Sequence, residues 1–140
     1  MTDHRETIRR LNLDVFGKGN VGVIDEILHE DFVDHTGMQG PMDREATKQF
    51  VQQIHGALSD TETTVDHILV DGDRVAWRWH MKGTHTGDFM GVPPTNDTIE
   101  VSGNDIGIMR DGKLAEMWSE VDNLSLFSQL GIVNPPPFMS

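Results

Sequence analysis

The chain has 140 residues, which suits one domain with a single hydrophobic core. Eleven basic residues against 23 acidic ones give a formal net charge of −12, and this field repels nucleic acid and anionic membranes, so neither is expected as a partner. The sequence contains no cysteine, which excludes disulfides, thiolate nucleophiles and cysteine-based metal sites. No stretch has the apolar length of a membrane span or a secretory signal, and we therefore expect a cytoplasmic protein.

The first 60 residues have mainly helical periodicity. Asp3 is placed to cap a first helix, and Asn20 is placed to cap a shorter second one. Gly40-Pro41 is expected to open a third helix, because proline suits the first helical position. Between the second and third helices, residues 31–36 predict a short strand.

After Asp60 the pattern changes to the period of two that is typical of β-strands. The predicted strands span residues 61–70, 74–85, 99–109 and 113–122. Asp111-Gly112 predicts a tight hairpin turn between the last two strands, because both central positions need a positive φ. A short closing helix with Leu124 and Leu130 on its apolar side follows. Helices followed by a strand meander predict an α+β fold, with residues 1–133 as the single domain and 134–140 as an extended tail.

The last predicted strand ends in a candidate acid or base. Asp122 shares one face of that strand with Trp118 and Glu116, while Ser119 lies on the other face. A carboxylate beside an apolar indole and under an apolar helix can have a pKa raised toward neutrality, as a general base requires. Acids at strand ends are also commonly solvated turn residues, and the pattern alone leaves both interpretations open.

Three groups of residues carry a resemblance to a known family. They are Glu116, Trp118 and Asp122 with Leu126 and Gln129-Leu130-Gly131; Gly83-Thr84-His85-Thr86-Gly87 with Phe89, Gly91 and Pro93-Pro94-Thr95; and Phe32, Val33 and His35 with Gly40-Pro41 before Phe50. Together they resemble the SnoaL-like polyketide cyclases over nearly the whole chain. The resemblance implies a nuclear-transport-factor-2-like cone, in which a curved mixed sheet wraps around three N-terminal helices and encloses an apolar pocket. It also implies a homodimer that forms through the sheet.

The resemblance further implies a reaction and the residues that carry it out. These cyclases close a ring by intramolecular aldol addition, and their catalytic aspartate on the last strand corresponds to Asp122. The family places a histidine on the penultimate strand, where this chain has Asn104 and Asp105. Asn104 and His35 are therefore the expected partners of Asp122, as donors to the developing oxyanion. The residues expected to line the binding site of a small hydrophobic carbonyl compound are Phe16, Phe50, Trp79, His85, Phe89 and Trp118. Neither a cofactor nor a metal is expected.

Two other functions remain open from the sequence. An epoxide hydrolase on the same fold would need Arg78 between Asp105 and Asp122 in the cavity. A ligand-binding or purely structural dimer would leave Asp122 solvated. The burial of Asp122 and the side of the sheet on which Arg78 lies distinguish these alternatives.

Overall fold

The computed structural model describes residues 3–134 and 136–139. Its α-helices are α1 (His4–Arg9), α2 (Ile24–Ile27), α3 (Arg44–Ala57) and α4 (Asn123–Gln129). The chain continues from α1 as a π-helix over Arg10–Phe16, and a 3₁₀ turn at Val21–Val23 precedes α2. Its strands are β1 (Leu28–Asp34), β2 (Leu58–Asp71), β3 (Arg74–His85), β4 (Thr98–Arg110) and β5 (Lys113–Val121). The four long predicted strands and the order of helices are therefore present.

The five strands form one mixed sheet in the order β1-β5-β4-β3-β2. β1 pairs with β5 in parallel, whereas the other three pairs are antiparallel. The hairpin turn has the positive φ angles that its sequence requires, 55° at Asp111 and 76° at Gly112. The predicted α+β class, with a curved mixed sheet and helices, is confirmed.

Several boundaries differ from the sequence prediction, each for a local reason. β1 begins at Leu28, because Leu28 already pairs with Leu114 on β5. α3 begins at Arg44 and not at Gly40-Pro41, since the Asp43 side chain accepts a hydrogen bond from the backbone N–H of Ala46 and so caps the helix. Tertiary pairing and a cap downstream of the proline thus set these ends.

The burial pattern shows which face of the sheet is internal. On β3, Val75, Trp77 and Met81 are buried, whereas His80 and Lys82 on the opposite face are exposed. The odd-numbered residues of β4 point inward in the same way. Two apolar clusters fill the space between this face and the helices, one around Trp77 and Phe32 and the other around Met81 and Ile99.

The C-terminal segment was predicted to be an extended tail. Pro137–Met139 instead form a short 3₁₀ turn, while Pro135 and Ser140 of the tail, like Met1 and Thr2 of the domain, lie outside the described residues. None of the described helices has the length and apolarity needed to cross a membrane. The cytoplasmic location stays a prediction.

Candidate functional site

The inner face of β4 holds a buried acid between two glycines. Asp105 is 5% exposed and points inward, with Gly103 and Gly107 on either side of it on the same face. A Cβ at Gly103 would lie 2.6 Å from Cζ2 of Trp79, so the missing side chain allows this indole to lie against the strand. The glycines thus leave a recess on this face of β4 that Trp79 and Trp77 from β3 and Leu114 from β5 occupy.

Each oxygen of the Asp105 carboxylate accepts one hydrogen bond. The Ser119 hydroxyl donates to Oδ1 at 2.5 Å, and the Trp79 indole N–H donates to Oδ2 at 3.1 Å. The backbone N–H of Ser119 in turn donates to the Thr36 hydroxyl, which donates to Asp34. Asp34 is itself buried at 8% exposure. Four strands (β1, β3, β4 and β5) therefore contribute to one hydrogen-bonded network that contains two buried carboxyl groups.

Burial raises the pKa of Asp105 from its usual 3.8 to about 6. The hydrogen bonds from Ser119 and Trp79 favour the ionised form and lower the pKa, whereas the negative charge of Asp34 raises it further. Desolvation is the largest of these effects. Asp105 is consequently ionised at neutral pH but close enough to its pKa to exchange a proton readily.

One half-buried aromatic side chain, Trp79, contacts this acid and links it to the apolar clusters. Trp79 packs against both apolar clusters and contacts Asp105 through its indole nitrogen. The other partly buried apolar residues on the second cluster are Phe16, Phe50, Phe89, Val101 and Phe127. Trp79 thus lies between the buried carboxylate and the second apolar cluster.

Asp122 lies elsewhere, and the prediction that it is a buried acid is wrong. The residue is exposed, and its side chain accepts a hydrogen bond from the backbone N–H of Ser125 at the start of α4. β5 ends one residue before it, so Asp122 is an ordinary N-cap. The expected desolvation by Trp118 is absent, because Trp118 lies on the outer face of the sheet and is itself 39% exposed.

The expected partners of Asp122 also lie on the outer face. His35 stacks on Trp118 with ring centroids 4.7 Å apart and contacts Glu116 through Nε2 at 3.0 Å. Asn104 is exposed and accepts a hydrogen bond from Arg78 at 3.2 Å. Arg78 thus faces away from Asp105, and the arrangement that an epoxide hydrolase would need is not present.

The predicted lining residues divide into two groups. Phe16, Phe50, Trp79 and Phe89 all pack against the second apolar cluster. Trp118 points outward from the sheet and does not belong to this cluster. His85 is fully buried, and its Nδ1 is held by the backbone N–H and hydroxyl of Thr95, so His85 does not edge an opening.

From the sequence, Asp105 was expected where the family has its penultimate-strand histidine and in the hydrolase alternative, but it was not among the predicted catalytic residues. The signal that could have found it is the alternation Gly103, Asp105, Gly107 on one face of a strand whose other inward residues are apolar. Within residues 3–134 and 136–139, there is no group of three His, Asp or Glu side chains that could hold a metal ion. Two surface concavities of the described chain, near Asp73 and near Asp25, contain neither Asp105 nor Asp122.

A curved mixed sheet of five strands packed against helices places the chain in the nuclear-transport-factor-2-like class of folds. A sequence model of the SnoaL-like polyketide cyclase family matches residues 6–130, and the chain belongs to this family. The family predicted from the sequence motifs is thereby confirmed.

Solved structures agree with this assignment. The chain is similar to IdmH from Streptomyces antibioticus, described as a candidate polyketide cyclase, with 32% identity, coverage of 91% of this chain and 97% of that one, and a TM-score of 0.77. TsrD from Streptomyces laurentii shares the fold at 23% identity, with coverage of 95% and 100% and a TM-score of 0.84. AclR from Streptomyces galilaeus, described as a candidate hydroxylase, shares it at 22% identity, with coverage of 96% and 85% and a TM-score of 0.83. No curated protein matches the chain.

Proposed function

We propose that the protein is a cofactor-independent acid/base catalyst of the polyketide cyclase type, with Asp105 as the general base. The observation that carries this proposal is the buried Asp105 carboxylate, whose pKa of about 6 lies close to neutral pH. Asp105 replaces Asp122, which the sequence had favoured, because Asp105 is buried whereas Asp122 is an exposed helix cap.

The proposed reaction begins at a carbon next to a carbonyl group. One oxygen of the Asp105 carboxylate takes a proton from this carbon through a lone pair that neither Ser119 nor Trp79 occupies. The electron pair of the broken C–H bond forms an enolate. In an aldol ring closure the enolate carbon then attacks a second carbonyl of the same molecule, and the resulting alkoxide takes the proton back from Asp105. No oxidant, reductant or second substrate is needed.

The surroundings of Asp105 favour a hydrophobic carbonyl compound. Trp79 connects the acid with the half-buried Phe16, Phe50 and Phe89, and flat apolar molecules stack favourably on such rings. Ser119 and Trp79 hold the carboxylate in one orientation, which fixes the direction of proton transfer. A small hydrophobic molecule therefore remains the proposed partner of this site.

The exchange of α-hydrogens with solvent tests the first step without knowledge of the natural substrate. Incorporation of deuterium at the α-carbon of 2-tetralone in D₂O, followed by NMR, should exceed the buffer rate with the wild-type protein. Asp105→Asn should lower the rate by about 10²–10⁴-fold, as is typical when a general base is removed. Asp122→Asn is the matched control, because Asn is an equally good N-cap, and it should stay within about twofold of wild type.

The opposite pattern, a large loss in Asp122→Asn and none in Asp105→Asn, would restore Asp122 as the base. A wild-type rate equal to that of buffer would instead favour a ligand-binding protein without this activity.

We further propose that the protein is a homodimer that forms through the outer face of the sheet. Apolar residues follow one another across four strands, because Leu69 pairs with Ala76, Ala76 with Ile106, and Ile106 with Trp118. Leu69 is 68% exposed and Ile106 is 58% exposed. A second copy of the same row, related by a two-fold axis, would cover these side chains in an isologous contact.

A further inference from the structure

Trp77 has a buried indole N–H without a hydrogen-bond partner among the residues that the structure describes. The side chain is 3% exposed, and its Nε1 contacts no acceptor. Buried N–H groups are nearly always paired in folded proteins, since an unpaired one loses its hydrogen bonds to water and gains nothing in return. The Trp77 N–H is therefore a donor for an acceptor that the described part of the chain does not supply.

Trp77 lies directly beside the proposed base. It is the β3 residue that pairs with Asp105 on β4, and both side chains point to the inner face. Side chains of such directly opposed residues have Cβ atoms about 4.5–5.5 Å apart. A Cβ at Gly107 would lie 3.2 Å from Cζ3 of this indole, so the ring lies against β4 next to Asp105. A carbonyl group held at Asp105 would therefore lie beside the Trp77 ring.

The other polar groups near Asp105 are already engaged. The Trp79 N–H and the Ser119 hydroxyl both donate to Asp105 itself, and the side chain of Asn104 points outward. The sequence contains no tyrosine that could serve as a donor. Trp77 therefore provides the free donor on this part of the described inner face.

We propose that the Trp77 N–H donates a hydrogen bond to the carbonyl oxygen of the substrate while Asp105 removes the α-proton. This inference rests on the proposed function of Asp105. Negative charge moves from the Asp105 carboxylate to the carbonyl oxygen during the step, so the hydrogen bond is stronger in the transition state than in the bound substrate. Because the donor is buried, it needs no reorganisation at that moment.

Trp77→Phe tests the role through the kinetics of 2-tetralone exchange. We expect kcat to fall at least about tenfold with KM nearly unchanged, the pattern of an interaction made only in the transition state. Trp118→Phe is the matched control, since it makes the same change on the outer face, and it should leave kcat unchanged. Replacing Trp77 by 3-benzothienylalanine keeps the shape of the ring but removes the N–H, and it should reproduce the loss if the donor and not the packing is responsible.

An equilibrium measurement separates this inference from the proposed reaction. The Asp105→Asn protein has no carboxylate at this position to repel an anion, so it should bind 4-nitrophenol more strongly as the phenolate than as the neutral phenol. When the phenolate binds, the indole N–H proton of Trp77 should move downfield in the NMR spectrum. The bound ionised fraction, read by absorbance, should fall when Trp77→Phe is added and not when Trp118→Phe is added.

If wild type exchanges 2-tetralone but both Trp77 replacements keep full kcat, the inference is overturned while the base survives. If wild type shows no exchange yet the bound phenolate depends on Trp77, the proposed reaction fails and the donor stands. A Trp77 proton that no added phenol perturbs also overturns the inference.

Discussion

The pH dependence of stability offers a direct test of the burial of Asp105. The folded chain raises the pKa of this acid from 3.8 to about 6, so the native state binds more protons than the unfolded state between these two values. Stability therefore falls as pH rises through this window, and the cost of ionising the buried acid is complete above pH 6. A pKa change from 3.8 to about 6 corresponds to about 3 kcal/mol.

The Asp105→Asn variant lacks this titration. Its free energy of unfolding should therefore increase relative to that of wild type as pH rises. The difference in the free energy of unfolding between variant and wild type should grow by up to about 3 kcal/mol between about pH 4 and about pH 8. A loss of hydrogen-bond quality with Ser119 or Trp79 would shift the difference equally at every pH. Urea unfolding, followed by circular dichroism at several pH values, measures it.

The exposed Asp97→Asn is the control, since it makes the same change in net charge at the surface. Carboxylates that do not interact with Asp105 titrate alike in both proteins and cancel in the comparison. A stability difference for Asp105→Asn that does not change with pH would refute the burial of an ionisable Asp105, and with it the basis for its role as a base.

Two further changes test the recess beside Asp105 and the outer face of the sheet. Gly103→Ala places a Cβ 2.6 Å from Cζ2 of Trp79, so we expect a loss of about 1–3 kcal/mol in urea unfolding and displacement of the Trp79 indole signal in NMR spectra. An unchanged indole signal would contradict the close packing on Gly103. Ile106→Glu places like charges near each other across the proposed two-fold axis and should shift the protein to monomer in sedimentation experiments. Met38→Glu, at a similarly exposed apolar residue off the sheet, should leave the dimer intact, and equal behaviour of the two variants would argue against this interface.

The periodicity of the sequence was sufficient for the elements, because each depends on local chemistry. Alternation along 74–85 and 99–109 predicted β3 and β4, and Asp111-Gly112 predicted the turn that joins β4 to β5. The motifs around His85 and Trp118 identified the family. These patterns also separated the two faces of the last strand correctly, with Trp118 and Ser119 on opposite sides.

Only the tertiary structure decided which of those faces is internal. A strand pattern is the same whether its odd or even residues meet the helices, and on β5 both faces carry polar and apolar side chains. Pairing with β4 settled the question, since Asp105 and Ser119 stand opposite each other on the inner side while Trp118 pairs with the exposed Ile106. The acid that becomes buried is thus determined by contacts between strands far apart in the sequence, and the local pattern around Asp122 contained no information about them.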